Sequence, residues 1–97
     1  MSTERIITLH PQGESGANLP QVLYDQLKEA IVMSFLIHPE IKDQELETFA
    51  VENIKEDLGK KQAWYIEVVK QDLLARDAIE YIPDASEKTL RLKIIFC

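Results

Sequence analysis

The chain is short of most of the residues that small scaffolds or membrane proteins depend on. Among its 97 residues there is one cysteine, Cys97, so no disulfide can close within it and nothing points to an oxidising compartment. No apolar run approaches the roughly 18 residues that a membrane-spanning helix needs. The opening Met1-Ser2-Thr3-Glu4-Arg5 lacks the basic and apolar regions of a signal peptide. The expectation is a cytoplasmic protein without membrane association. There are no internal repeats and no low-complexity linker. Positive charge is also in deficit, with 11 Lys and Arg against 17 Asp and Glu and a net charge of −6.

That deficit is unevenly spread. Residues 1–59 carry 4 basic and 11 acidic side chains, and residues 60–97 carry 7 and 6. An acidic first half repels phosphate backbones, and the near-neutral second half attracts them only weakly. A chain of this length forms one domain, residues 1–97, and 45% apolar residues suffice for one modest core.

Hydrophobic spacing divides the chain. Arg5 to Leu9 is short, β-branched and apolar, and reads as a strand. Leu19, Leu23, Leu27, Ile31 and Phe35 recur every four residues, with Val22, Ala30 and Ser34 beside them, as in a helix with one apolar stripe. Asn18 is its expected N-cap and Pro20 falls in its first turn. His38-Pro39 ends it near Leu36. A second helix is expected over 44–58, buried through Leu46, Phe49, Ala50, Ile54 and Leu58, with Gly59 as a left-handed C-terminal glycine. A third is expected over 62–77, with Tyr65, Ile66, Val69 and Leu73 apolar. The period then changes to two. Residues 78–82 and 89–96 read as a hairpin whose second strand turns Leu90, Leu92, Ile94 and Phe96 to one face, and Arg91 and Lys93 to the other.

Strand, three helices and hairpin define an α+β, winged-helix-like plan. Glu40-Ile41-Lys42 suits the short strand that such folds place between their first two helices. The strand at Arg5–Leu9 is additional, and is expected to pair at an edge of the hairpin's sheet.

Two segments, "TLHPQGESGANL" and "WYIEVVKQDLLARDAIEYIP", resemble a family of small bacterial proteins of similar length. Its pattern runs LHPQGKxGxNI near the start and WYxxxVKxDLEARGxIERxP near the end. The resemblance covers nearly the whole chain. It implies a winged helix and an uncharacterised function, and brings no activity with it. Three positions depart from the pattern. Glu14 stands for Lys, Asp77 for the helix-ending Gly, and Tyr81 for Arg. Two of these changes remove positive charge and count against a nucleic-acid role.

No catalytic constellation is legible. Gly13-Glu14-Ser15-Gly16-Ala17 falls one glycine short of a nucleophile elbow, and the chain is too short for the sheet that motif needs. It has no G-K-S/T, and Glu14 would repel a phosphate. The segment therefore reads as a turn-rich connector. His10, His38 and Cys97 match no ligand spacing, so neither metal nor cofactor is expected. No acid–base pair suggests an enzyme.

Two functional readings remain. The favoured one is a non-enzymatic protein-interaction module, with Trp64 and Tyr65 as anchors and an unknown protein, or a second copy of the chain, as partner. The alternative is a DNA-binding transcriptional regulator reading through helix 62–77 and the 79–96 hairpin. Its contacts would be Lys60, Lys61, Gln62, Lys70 and Gln71 on the helix, and Lys88, Arg91 and Lys93 on the hairpin.

Overall fold

The computed structural model describes residues 4–13, 16–54 and 58–93. The chain runs β1 (Arg5–Ile7), β2 (Asn18–Pro20), α1 (Gln21–Ile37), β3 (Glu40–Lys42), a 3-10 turn (Asp43–Glu45) and α2 (Leu46–Val51). A second 3-10 turn (Gly59–Lys61) then leads into α3 (Gln62–Ala75), β4 (Ile79–Tyr81) and β5 (Thr89–Leu92). The α+β plan of an N-terminal strand, three helices and C-terminal strands stands as the sequence suggests.

The principal sheet has the order β3-β5-β4 and is antiparallel throughout, with Ile41 opposite Leu90 and Ile79 opposite Leu92. Its inner face supplies Ile41, Ile79 and Leu90 to the core. Against them sit Leu27, Ile31 and Phe35 of α1, Leu46 and Ala50 of α2, and Ile66, Val69 and Leu73 of α3. Every fourth residue of α1 faces inward because 3.6 residues complete a turn, so the stripe buries itself on its neighbours. Each fully buried aliphatic side chain is worth about 1.5–3 kcal/mol over exposure.

The structure departs from the sequence reading at several places. β1 does not join the principal sheet. It pairs with β2, Ile6 opposite Leu19, in a separate two-stranded ribbon. The reason is local. A loop of about ten residues brings Asn18–Pro20 back antiparallel, and Leu19 is the buried residue of that return. Asn18 is consequently not the N-cap of α1. Its Oδ1 accepts from Arg5 Nε at 2.7 Å across the ribbon, and Pro20 occupies the cap. Val22, expected beside the apolar stripe, is exposed.

α2 ends at Val51, well short of 58. Asn53 and Ile54 bond backward by three residues, to Ala50 and Val51, and the Asn53 amide donates to the Phe49 carbonyl at 3.2 Å. An asparagine that competes for helix carbonyls in this way favours a stop over propagation. Gly59 takes the expected left-handed conformation, φ +65°. α3 closes with the bonds of a Schellman motif, Ala78 N–H to Leu73 C=O and Asp77 N–H to Leu74 C=O. Asp77, at φ +62°, holds the left-handed position usually given to glycine. Ile94 and Phe96, read from the sequence as strand residues, lie outside the described residues, as do Glu14, Ser15 and Cys97.

The loop between β1 and β2 folds tightly on itself. Thr8 is buried, its N–H donates to the Ala17 carbonyl at 2.9 Å, and its Oγ1 accepts from Ala17 N–H at 2.8 Å. A Cβ on Gly16 would fall 1.7 Å from the Thr8 carbonyl oxygen, so only glycine permits this approach. Gly16→Ala is expected to lower stability by about 1–3 kcal/mol, the range for forced overpacking. Urea unfolding measures it, and an unchanged midpoint would contradict this loop closure.

Candidate functional site

The loop closes onto α3, and a groove of about 290 Å³ remains between them. The loop side is formed by Thr8, Leu9, His10, Gly16 and Ala17, and the helix side by Trp64, Glu67, Val68 and Gln71. The spacing 64, 67, 68, 71 is one helical stripe, which is why these four face the loop together. Trp64 is 49% exposed and Leu9 46%. Trp64 also meets the Tyr65 ring edge-on at 5.2 Å between centroids, and Tyr65 is half-buried against the core. Of the two aromatics singled out from the sequence, the tryptophan is therefore the surface residue and the tyrosine its support.

One carboxylate holds the groove together. Asp72, on α3, is fully buried. Its Oδ1 accepts the Leu9 backbone N–H at 2.7 Å, its Oδ2 accepts the Tyr24 hydroxyl from α1, and Arg76 Nε reaches both oxygens at 3.0 and 2.9 Å. The odd residues of β1 point their N–H groups away from β2, because Glu4 and Thr8 are the ones bonded to Gln21 and Ala17. Leu9 N–H thus arrives at α3 as an edge donor that only Asp72 satisfies. Burial, reinforced by the hydrogen bond to Asp72, drives the Tyr24 hydroxyl pKa well above its ordinary 10.0. The hydrogen bond to Asp72 raises Arg76 above its usual value, in spite of some desolvation. Among the described residues no buried side-chain nitrogen or oxygen is left without a partner.

A second ionic cluster lies on the other flank of α3. Lys70 is buried, its Nζ 2.8 Å from Asp43 Oδ1 and 2.7 Å from Glu67 Oε2. Tyr81 on β4 donates to the same Asp43 oxygen at 3.0 Å. Burial alone would lower the Lys70 pKa, but the hydrogen bonds to Asp43 and Glu67 outweigh it and the net direction is up. Burial likewise opposes the Asp43 charge, and Lys70 and Tyr81 overcome it, so Asp43 titrates below 3.8. Tyr81 is raised, by burial first and also by its bond to Asp43, against an opposing effect of Lys70.

These contacts redistribute the basic residues proposed from the sequence as nucleic-acid contacts. Lys70 is not on the exposed side of its helix. A helical count assigns it there by charge, but Asp43 from the preceding turn neutralises it in the interior. Lys60 and Lys61 are exposed on the 3-10 turn before α3, and Gln62 is half-buried. Gln71 lies in the groove, its amide donating to Glu67 Oε1 at 2.9 Å. Lys88 stands 6.0 Å from the centroid of the Tyr81 ring. Arg91 is bonded to Glu80 at 2.7 Å, and Lys93 Nζ is 3.5 Å from Asp77. Sequence reasoning missed Thr8, Leu9, Glu67, Val68, Gln71 and Asp72 as partners in one feature. The only available signal was that the two segments resembling a known family each supply one wall.

Among the described residues no group of three His, Cys, Asp or Glu side chains is placed to hold a metal ion, and no helix is long and apolar enough to cross a membrane. The fold and groove define a small mixed α+β domain whose N-terminal ribbon is strapped across its third helix. The chain belongs to the family of unknown function DUF6958, whose model matches residues 5–90. That span starts at β1, so the strap and groove lie within the family's domain. No curated protein and no solved structure matches the chain.

Asp72→Ala is expected to cost about 3 kcal/mol, the lower end for breaking a buried pair, because Arg76 stays partly solvated. Tyr24→Phe, which leaves the carboxylate its other partners, is expected to cost about 1 kcal/mol. Chemical denaturation of both variants measures the difference. The Asp43 contribution has a defined pH sign. Its folded pKa lies below the unfolded value, so the stabilisation is complete above the ordinary carboxylate range and is lost as pH falls through the folded value. Asp43→Asn is therefore expected to flatten the acid limb of stability against pH, and an unaltered acid limb would show that Asp43 contributes nothing to it.

Proposed function

We propose that the chain is a non-enzymatic protein-interaction module on a winged-helix scaffold, and that it binds through the groove between the N-terminal loop and α3. The scaffold reading is supported by the chain order α1-β3-α2-α3-β4-β5 and the sheet order β3-β5-β4, in which the hairpin's second strand is central. The observation that carries the function is the half-exposed Trp64, which lines the groove together with the half-exposed Leu9. Aromatic side chains that stand beside a concave apolar surface are the usual anchors of protein contacts.

The DNA-binding alternative draws on the same scaffold, since α3 would be the helix that enters the major groove. Two observations weigh against it. The stripe of α3 that carries Trp64, Glu67 and Gln71 faces the N-terminal loop, and it presents a carboxylate. Lys70, Arg91 and Lys93 are already engaged with Asp43, Glu80 and Asp77. Fold analogy alone is a weak warrant for nucleic-acid binding.

Affinity capture from source-cell lysate is expected to recover a partner that Trp64→Ala loses while the variant keeps the wild-type melting temperature. A solitary monomer by light scattering with nothing captured, or capture indifferent to Trp64→Ala, would sink the reading. Saturable binding to duplex DNA at ~50 mM salt that weakens steeply as salt rises would support the alternative instead.

A further inference from the structure

From the chemistry of the groove's helix side we infer that its occupant is an arginine side chain of a partner's peptide segment, its guanidinium stacked on Trp64 and hydrogen-bonded to Glu67. This rests on the reading of the groove as a protein-binding site, and names the chemistry it selects.

Trp64 and Glu67 are three residues apart on α3, so the indole and the carboxylate stand side by side on one face of the helix. Both line the groove, and among the described residues no lysine or arginine lines it. A planar cation satisfies both at once. Its face lies on the indole quadrupole, and its edge N–H groups reach the carboxylate. The Glu67 oxygens already accept from Lys70 and Gln71, but a carboxylate offers about four lone-pair sites. The Glu67 side chain is 53% exposed, which leaves the remaining sites accessible. The two existing bonds fix the carboxylate's direction, so little rotamer freedom is lost on binding. Leu9 across the groove and Val68 on the helix side offer an apolar surface for the aliphatic stem of the arginine. The volume of about 290 Å³ falls just below the range of roughly 300–1,000 Å³ for ligand pockets and suits one long side chain rather than a cofactor. The net charge of −6 draws a cationic segment towards the chain as a whole.

Trp64 is the chain's one tryptophan, so its fluorescence reports the groove directly. The probes are capped glycine pentapeptides with a central arginine, leucine or glutamate. The arginine peptide is expected to give a saturable change in Trp64 emission at the lowest concentration, and to weaken as salt is raised. Leucine should follow, and glutamate should give none. Glu67→Gln, which keeps the size of the side chain and one of its two acceptor oxygens, should weaken the arginine peptide by roughly two- to fivefold, the size of one partly solvated ion-pair contact. It should leave the leucine peptide unchanged. The variant's melting temperature is measured alongside, and Trp64→Leu, read by calorimetry, provides a second loss of arginine binding. Arginine binding no tighter than leucine, or unaffected by Glu67→Gln in a folded variant, overturns the inference. If that happens while partner capture still depends on Trp64, the groove remains an interaction site with a different occupant. If capture is lost as well, the functional reading fails with it.

Discussion

The buried Asp72 carboxylate is the constraint on which the rest of this structure depends. A charged group at that depth is costly unless its oxygens are filled, and here three different parts of the chain fill them. The Tyr24 hydroxyl ties α1 to α3, Arg76 shields the side open to water, and the Leu9 N–H fixes the N-terminal loop. The Leu9 N–H, two residues beyond β1, points away from β2 and finds its acceptor in Asp72. The same bond that satisfies it also fixes the height at which the loop crosses α3, and so the width of the groove.

The second ionic cluster does comparable work on the opposite flank. Lys70 joins α3 to the turn before α2 through Asp43, and Tyr81 extends the link to β4. It also borrows Glu67, whose other oxygen is taken by Gln71. Glu67 therefore belongs to both sides of α3. One oxygen helps to neutralise a buried lysine, and the residue's remaining face lines the groove. Of the positive charge that looked available from composition, Lys70 is drawn inward and Arg91 and Lys93 are paired, while the groove's helix side carries Trp64 beside Glu67.

Much of the fold is legible along the chain. The four-residue spacing from Leu23 to Phe35, the proline after His38, the switch to a two-residue period after α3, and the short strand at Glu40–Lys42 all lie where spacing and propensity put them, whereas Leu19, read as the start of that stripe, belongs to β2. These features depend on neighbours in sequence, so local chemistry suffices. The errors share a different cause. β1 pairs with β2 because a buried Leu19 and a glycine pressed against Thr8 favour that return, which is a question of space. Lys70 is buried because Asp43 comes to it from 27 residues away. Asp77 keeps a glycine's conformation because the Schellman bonds to Leu73 and Leu74 impose it. The candidate site was the least legible part. Trp64 stood out by type, but Asp72 reads as one more polar residue on a helix until Leu9, 63 residues distant, is seen on it.

The sequence by itself determined the class of object: a small acidic α+β chain with three amphipathic helices, a terminal hairpin and no recognisable catalytic motif. Those properties follow from composition and period. Only the tertiary structure decided that the N-terminal loop lies across α3, that Trp64 and Glu67 border a shared cleft, and which charges remain at the surface. The physical reason is that buried hydrogen bonds and ion pairs are satisfied across long separations. Their partners are chosen by packing geometry, which no local spacing records.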